Sequence, residues 1–309
     1  MSLPNKVIII LGPTGVGKTG ASVLLAKAMD TEIISADSMQ IYRHMDIGTA
    51  KPSREEMSGV KHHMIDIVEP SEPFSVGKYV EMVAPIIEEI HKRGKVPVMV
   101  GGTGLYIKAM TRGLFSGPSA DWNLREDLLA MEAEHPGSLY ARLKKLDPEA
   151  ASRTMGGDTR RLVRALEVCL KAETGITELQ KNLTRPLPYT FILIGLTRER
   201  KELYELIEKR VDAMLAKGLV DEVRDLLRMN PGKTAMQAIG YKEIALFFRG
   251  EPSLDEAVST IKKRSRNYAK RQFTWFRQEK GIQWMDITGL FSHRDIHKAI
   301  EIFLENRLT

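Results

Sequence analysis

The sequence predicts an α/β protein: a parallel sheet flanked by helices, an all-helical insertion within it, and a helical C-terminal region. Three observations carry this. Short β-branched runs alternate with helical patterns over the first hundred residues, the signature of buried parallel strands joined by helical crossovers. From about residue 121 to 183 the periodicity is helical and no convincing strand occurs. Strand character then returns at residues 189–196 (YTFILIGL). The boundaries read as an α/β core over 1–112 and 188–309, and an insertion over 113–187.

The elements follow in order. Residues 6–11 (KVIIIL) form a continuous apolar run that suits a strand buried on both faces, and 18–29 read as a helix. Residues 31–36 (TEIISA) are a second strand and 63–68 a third. Residues 75–93 are helical, with Pro85 expected to kink them. Residues 96–100 are an apolar strand closed by Gly101 and Gly102. Beyond residue 198 the chain is helical, apart from a short strand at 282–287.

Composition narrows the function classes. The 309 residues are 43% hydrophobic and 28% charged, which excludes wholesale disorder. Cys169 is the sole cysteine, so neither a disulfide within the chain nor a zinc site with two cysteine ligands can form. It reads as a small core residue of a helix. His62 and His63 are adjacent, so a strand points them to opposite faces, which argues against a metal site. No apolar run reaches the roughly 18 residues that cross a bilayer; we expect a cytoplasmic monomer without membrane contact. The net charge of +6 permits a polyanionic partner.

Residues 12–19 read GPTGVGKT and match G-x-x-x-x-G-K-[ST] at every fixed position. A strand precedes the motif and a helix follows, as a P-loop NTPase-like fold requires. Glycines let the backbone N–H groups of Gly12, Pro13–Gly17 and their neighbours wrap an anion, Pro13 itself lacking one. The following helix adds positive charge at its N-terminus. Lys18 reaches the terminal phosphates, and Thr19 can hold Mg²⁺. The motif covers Gly12, Pro13, Thr14, Gly15, Val16, Gly17, Lys18 and Thr19. Nucleotide binding, with ATP the default ligand, is what it suggests alone. Yet the apolar strand 96–100 ends in GGTG, where an ATPase usually offers an acid. Asp66 is either a substitute or a turn aspartate.

Two further residues stand out. Asp37 follows the second strand at its carboxyl end, the edge where open α/β sheets bind ligands and where the phosphate loop also lies. It is either a general base or metal-associated carboxylate, or a turn cap. Residues 199–217 read as an amphipathic helix with Leu203, Leu206, Ile207 and Met214 on its apolar face. Arg210 falls within that face. It either pairs with a structural carboxylate or meets a bound anion.

Residues 257–278 contain no acid but carry Lys262, Lys263, Arg264, Arg266, Lys270, Arg271 and Arg277. Most of these share one side of a helix, with Ile261, Tyr268, Trp275 and Phe276 roughly opposite. A phosphate backbone is the natural partner of such a stripe, and Tyr268 and Trp275 read as core. Arg160, Arg161 and Arg164 form a second basic cluster in the insertion, either for nucleic acid or paired along the helix with acids such as Glu167.

Several strings together resemble one family. They are GPTGVGKT, IISADSMQIYRHMDIGTAKP (33–52), VGGTGLYIKA (100–109), RRLVRALEV (160–168), MQAIGYKE (236–243) and YAKRQFTWF (268–276). The chain is similar over nearly its whole length to the bacterial tRNA dimethylallyltransferases, also called tRNA isopentenyltransferases. The resemblance implies transfer of a dimethylallyl group from dimethylallyl pyrophosphate to the exocyclic amine of the adenosine 3′ of the anticodon. The phosphate loop then holds a pyrophosphate, with Mg²⁺, rather than ATP. It implies catalytic roles for Asp37 as general base and for Thr19, Arg210 and Lys18 at the pyrophosphate. It also implies that the anticodon stem-loop of tRNA meets Asp37, Ser38, Met39, Gln40, Thr103, Arg160, Arg161, Arg164, Gln237, Gly240, Tyr241, Lys242, Lys270, Arg271 and Arg277, the adenosine being flipped from its stack. The rivals are an adenylate isopentenyltransferase, a small-molecule kinase and a non-catalytic tRNA-binding module.

Overall fold

The computed structural model describes residues 5–115 and 117–308. They divide into two compact units, one built from residues 1–111 with 188–309 and the other from residues 112–187.

The first unit is built on a six-stranded parallel sheet. Its strands are β1 (Lys6–Leu11), β2 (Ile33–Ala36), β3 (His62–His63), β4 (Val98–Gly101), β7 (Thr190–Thr197) and β8 (Gln283–Asp286), in the order β3-β2-β4-β1-β7-β8. The intervening β5 (Leu114–Phe115) and β6 (Thr184–Arg185) pair antiparallel with each other. β1 is central because its sequence allows nothing else: Val7 to Leu11 are all fully buried, so both faces must be covered. Helices α1 (Lys18–Ala28), α2 (Arg54–Met57), α3 (Val76–Lys92) and α4 (Gly104–Arg112) accompany the first four strands. Pro85 lies inside α3, which runs unbroken past it. The fold class is the one the sequence predicts.

The third strand is shorter than its apolar run suggests. Met64 and Asp66 adopt positive φ (62° and 55°), so the extended backbone stops after His63, and pairing resumes only as a single bridge between Tyr42 and Val68. Asp66 is a turn residue whose carboxylate pairs with Lys51 at 2.5 Å. It is no substitute for an ATPase acid. His62 hydrogen-bonds to the Val60 carbonyl and His63 to Glu32, so each ring serves its own loop or strand neighbour.

The second unit holds α5 (Trp122–Glu134), α6 (Ser138–Leu146), α7 (Pro148–Ser152), α8 (Thr159–Ala172) and α9 (Ile176–Leu183). Leu139, Leu143, Leu162, Leu166 and Val168 fill its core, and Cys169 is buried among them as a small apolar residue. Glu167 is fully buried in the same unit. Burial opposes its charge, but hydrogen bonds from Arg125, the Asp121 N–H and Arg164 outweigh that and hold the carboxyl at about 2.

After β7 the chain forms α10 (Arg200–Ala216), α11 (Leu219–Arg228), α12 (Tyr241–Phe248), α13 (Leu254–Arg277) and α14 (His293–Leu308). α10 buries Leu203, Ile207, Val211 and Met214, while Leu206 is half exposed, so the apolar stripe is rotated slightly from the expected one. α13 buries Ala257, Ile261, Ser265, Ala269, Gln272 and Phe276. Tyr268 and Trp275 flank this stripe and are only half buried, because the innermost face of the helix runs through Ala269, Gln272 and Phe276 instead. Among the described residues no helix is long and apolar enough to cross a membrane.

Candidate functional site

Parallel strands place their following loops on one edge. The loop after β1 (residues 12–17), Asp37 after β2 and the GGTG loop after β4 therefore converge. Gly12 is obligatory: its φ is +146°, and a Cβ there would stand 2.6 Å from the Leu196 carbonyl oxygen. Lys18 curls back over the loop, its Nζ donating to the carbonyls of Gly12 (2.9 Å) and Pro13 (2.8 Å). Thr19 is exposed in the first turn of α1.

Arg210 of α10 reaches the same loop. Its Nη2 donates to Thr14 Oγ1 at 2.5 Å, and its Nε is buried with no hydrogen-bond partner. Among the described residues no carboxylate forms an ion pair with it, so the structural-pair reading fails. Burial lowers its pKa, and the charge of Asp37 opposes this. Lys18 is pushed down to about 7, chiefly by burial and then by Arg210, with Asp37 again opposing. Two desolvated cations share one carboxylate. A bound anion relieves this imbalance.

The shift has a measurable consequence. Above pH 7 the free Lys18 is mostly neutral, whereas beside a bound polyanion its pKa rises. Binding of inorganic pyrophosphate at pH 8 is thus expected to take up a proton, and the Lys18 contribution to affinity to fall by up to about tenfold per pH unit above 7. Below pH 7 that contribution is constant. Calorimetry in buffers of different ionisation enthalpy reads the uptake, and equal uptake by wild type and Lys18→Met would sink the assignment.

Asp37 caps the turn that follows β2. Its Oδ1 accepts from the N–H groups of Met39 (2.8 Å) and Gln40 (3.3 Å), the geometry of a turn cap. Among the described residues nothing hydrogen-bonds its Oδ2, which leaves one carboxylate oxygen for a ligand. Thr103 accepts from the Ser38 N–H at 3.0 Å and ties the GGTG loop to this turn. Below it Tyr79 donates to the Ser35 carbonyl at 3.0 Å and stacks on Tyr106 with ring centroids 3.9 Å apart.

Two residues of α13 adjoin the site: Tyr268, which the sequence reads as core, and Gln272, which the sequence does not single out. Burial, then the nearby charge of Asp37, raises the pKa of the Tyr268 hydroxyl, which also interacts with Gln272 and Thr103. Gln272 is buried against the phosphate loop. The available signal was a glutamine on the apolar face of α13, four residues from Tyr268, since a buried amide needs partners.

The other expected contacts are placed as follows. Ser38, Met39 and Gln40 are half buried, and the Gln40 amide donates to the Thr49 and Ala50 carbonyls. Gln237 and Lys242 are exposed and Gly240 is buried. Tyr241 is not an RNA-facing residue: it is fully buried, and its hydroxyl donates to Glu222 at 2.5 Å, because α12 packs there on α11. On α13, Lys262, Arg264 and Arg266 pair with Asp212, Glu243 and Glu208 of neighbouring elements, which removes them from the basic stripe. Lys263, Lys270, Arg271 and Arg277 are exposed, Arg271 and Arg277 lying over the rings of Tyr268 and Phe273. Lys270, Arg271 and Trp275 line a shallow groove of about 380 Å³. In the second unit Arg164 is bound to Glu167 and to the Pro118 carbonyl, Arg161 pairs with Asp158 while remaining 72% exposed, and Arg160 is exposed without an ion pair among the described residues. The paired reading therefore holds for Arg164 and leaves Arg160 and Arg161 presented to solvent.

The chain is similar to known proteins over almost its whole length. The sequence model of the IPP transferase family matches residues 40–279. The tRNA dimethylallyltransferase of Thermodesulfovibrio yellowstonii is 55% identical over 93% of each chain. That of Acetivibrio thermocellus is 46% identical over 97% of each. The crystal structure of the tRNA isopentenylpyrophosphate transferase of Bacillus halodurans superposes with a TM-score of 0.72 at 44% identity, over 98% of this chain and 97% of that one. A eukaryotic dimethylallyltransferase captured acting on tRNA superposes with a TM-score of 0.81 at 29% identity, over 98% and 80%. With a phosphate loop, an unpaired arginine above it and one open carboxylate at a single sheet edge, and with this likeness over almost its whole length, the chain belongs to the IPP transferase family.

Proposed function

We propose that the protein transfers a dimethylallyl group from dimethylallyl pyrophosphate to the exocyclic amine of the adenosine 3′ of the anticodon in tRNA. One observation carries the reading at the level of residues. The cations Lys18 and Arg210 and the open oxygen of Asp37 lie within electrostatic reach of one another, beside a loop built for phosphate. A kinase or ATPase would need a second acid after β4, where Gly101 to Gly104 stand.

The amine of adenine is a weak nucleophile because its lone pair is delocalised into the ring. Its nitrogen bonds to the allylic carbon as the carbon–oxygen bond to pyrophosphate breaks. The proton lost from nitrogen passes to Asp37, and the bonding pair leaves with pyrophosphate. Negative charge grows on the leaving group, where Lys18, Arg210 and the loop N–H groups stabilise it. Thr19, exposed at the start of α1, fits Mg²⁺, which keeps most of its ligands as water and phosphate oxygen; bound, the ion would neutralise pyrophosphate charge.

The exposed cations of α13, and Arg160 and Arg161 in the second unit, supply the RNA contacts of this reading. Each phosphate neutralised contributes a slope of roughly −0.7 to −0.9 in log K against log salt. The double substitution Lys270→Ala, Arg271→Ala is expected to weaken tRNA binding and flatten that slope by about 1–2. Lys262→Ala, whose charge is already spent on Asp212, leaves the slope unchanged. Equal slopes for all three proteins would remove α13 from the RNA interface.

The deciding experiment supplies unmodified tRNA, dimethylallyl pyrophosphate and Mg²⁺ without ATP, and reads digested nucleosides by mass spectrometry. Prenylated adenosine in tRNA is the expected product. Prenylation of free adenine nucleotide alone, or phosphate transfer from ATP, would replace this reading by one of its rivals.

A further inference from the structure

The segment of α13 that the family resemblance assigns to tRNA contains one residue pointing the other way. Gln272 is buried, 7% exposed, on the inner face of the helix. Its Oε1 accepts the N–H of Thr14 at 2.8 Å, and its Nε2 donates to the carbonyl of Gly102 at 2.9 Å. Both halves of one amide are thus used, one on the phosphate loop and one on the loop after β4. Each partner leads further. Thr14 accepts from Arg210 through its hydroxyl, and Gly102 precedes Thr103, which binds the turn of Asp37 through Ser38. Tyr268, one turn before Gln272, interacts with both Gln272 and Thr103.

Gly102 shows how closely this is fitted. A Cβ there would come within 2.3 Å of Gln272 Nε2. No apolar side chain could bridge these two loops, because the Thr14 N–H and the Gly102 carbonyl would each lose its protein partner.

We propose that Gln272 is a positioning residue that holds the phosphate loop in register with the loop after β4, and so fixes the anion cradle relative to Asp37. The role rests on the proposed function for its catalytic meaning but not for its effect on anion binding. Gln272 does not itself touch the transferred group; it acts through Thr14 and Gly102.

The experiment compares wild type, Gln272→Met, Gly102→Ala and the double variant. Calorimetry measures inorganic pyrophosphate binding with Mg²⁺, and scanning calorimetry measures Tm. Gln272→Met removes both hydrogen bonds with little change of volume. Gly102→Ala keeps the glutamine but displaces its amide, which preserves the test if the first variant folds poorly. Each single variant is expected to weaken pyrophosphate binding about tenfold, the loss typical of a buried N–H left without its partner. The double variant should be no weaker than the worse single one, since both remove the same link. Additive losses, or a lowered Tm with unchanged pyrophosphate binding, overturn the proposal. Product formation by wild type on tRNA is read separately and bears on the proposed function alone.

Discussion

Asp37→Asn is expected to lower kcat for prenyl transfer by roughly 10²–10⁴-fold while leaving tRNA binding intact. The substitution separates the two jobs of this side chain. The asparagine oxygen still accepts from the Met39 and Gln40 N–H groups, so the turn after β2 survives. What disappears is the second oxygen as a proton acceptor for the amine. Charge provides a second readout. Among the described residues Asp37 is the carboxylate that offsets Lys18 and Arg210 electrostatically, so its neutralisation makes the cradle more positive. Pyrophosphate should bind Asp37→Asn at least as tightly as wild type, and single-turnover rates on saturating tRNA should carry the whole defect. A kcat within threefold of wild type would reduce Asp37 to a cap.

Arg210→Met is expected to cost roughly 10²–10³ in kcat/KM for the pyrophosphate donor, the scale found for removing one preorganised donor from a developing anion. Thermal stability should not fall with it. Arg210 is a desolvated cation with a buried, unpartnered Nε and one hydrogen bond to Thr14, so its removal relieves a desolvation cost. Tm unchanged or raised, with donor affinity lost, is the pattern of a residue kept for its ligand. Arg210→Lys should restore little, because a point charge lacks the planar fork that grips two oxygens. Arg210 also depresses the pKa of Lys18, so the proton uptake on pyrophosphate binding at pH 8 should shrink in Arg210→Met. A stability loss without a change in donor affinity would make Arg210 structural.

The positions most legible in the sequence were those whose chemistry depends on near neighbours. The phosphate loop is eight consecutive residues between an apolar run and a helix, and the structure builds it there, between β1 and α1. Asp37 was placed by counting to the end of a strand. Arg210 was conspicuous because a charge on an apolar face needs a reason. The third strand misled because an apolar run does not reveal that Met64 and Asp66 turn to positive φ. The two-residue pairing of β5 with β6 is too short to leave a pattern.

The α/β class, the phosphate-loop motif and the likeness to a tRNA-modifying family were legible in the sequence, because period, motif and strand end are properties of contiguous residues. Only the tertiary structure decided which charges remain available. Lys262, Arg264 and Arg266 are spent on acids far away in the chain, as Arg164 is on a buried glutamate in its own helix, whereas Lys270 and Arg271 are not. Only the structure sent Tyr241 to the core and brought Gln272 to within 2.8 Å of a loop 258 positions away. The reason is physical: a charge or an amide is defined by its partner, and sequence distance carries no information about which partner packing will supply.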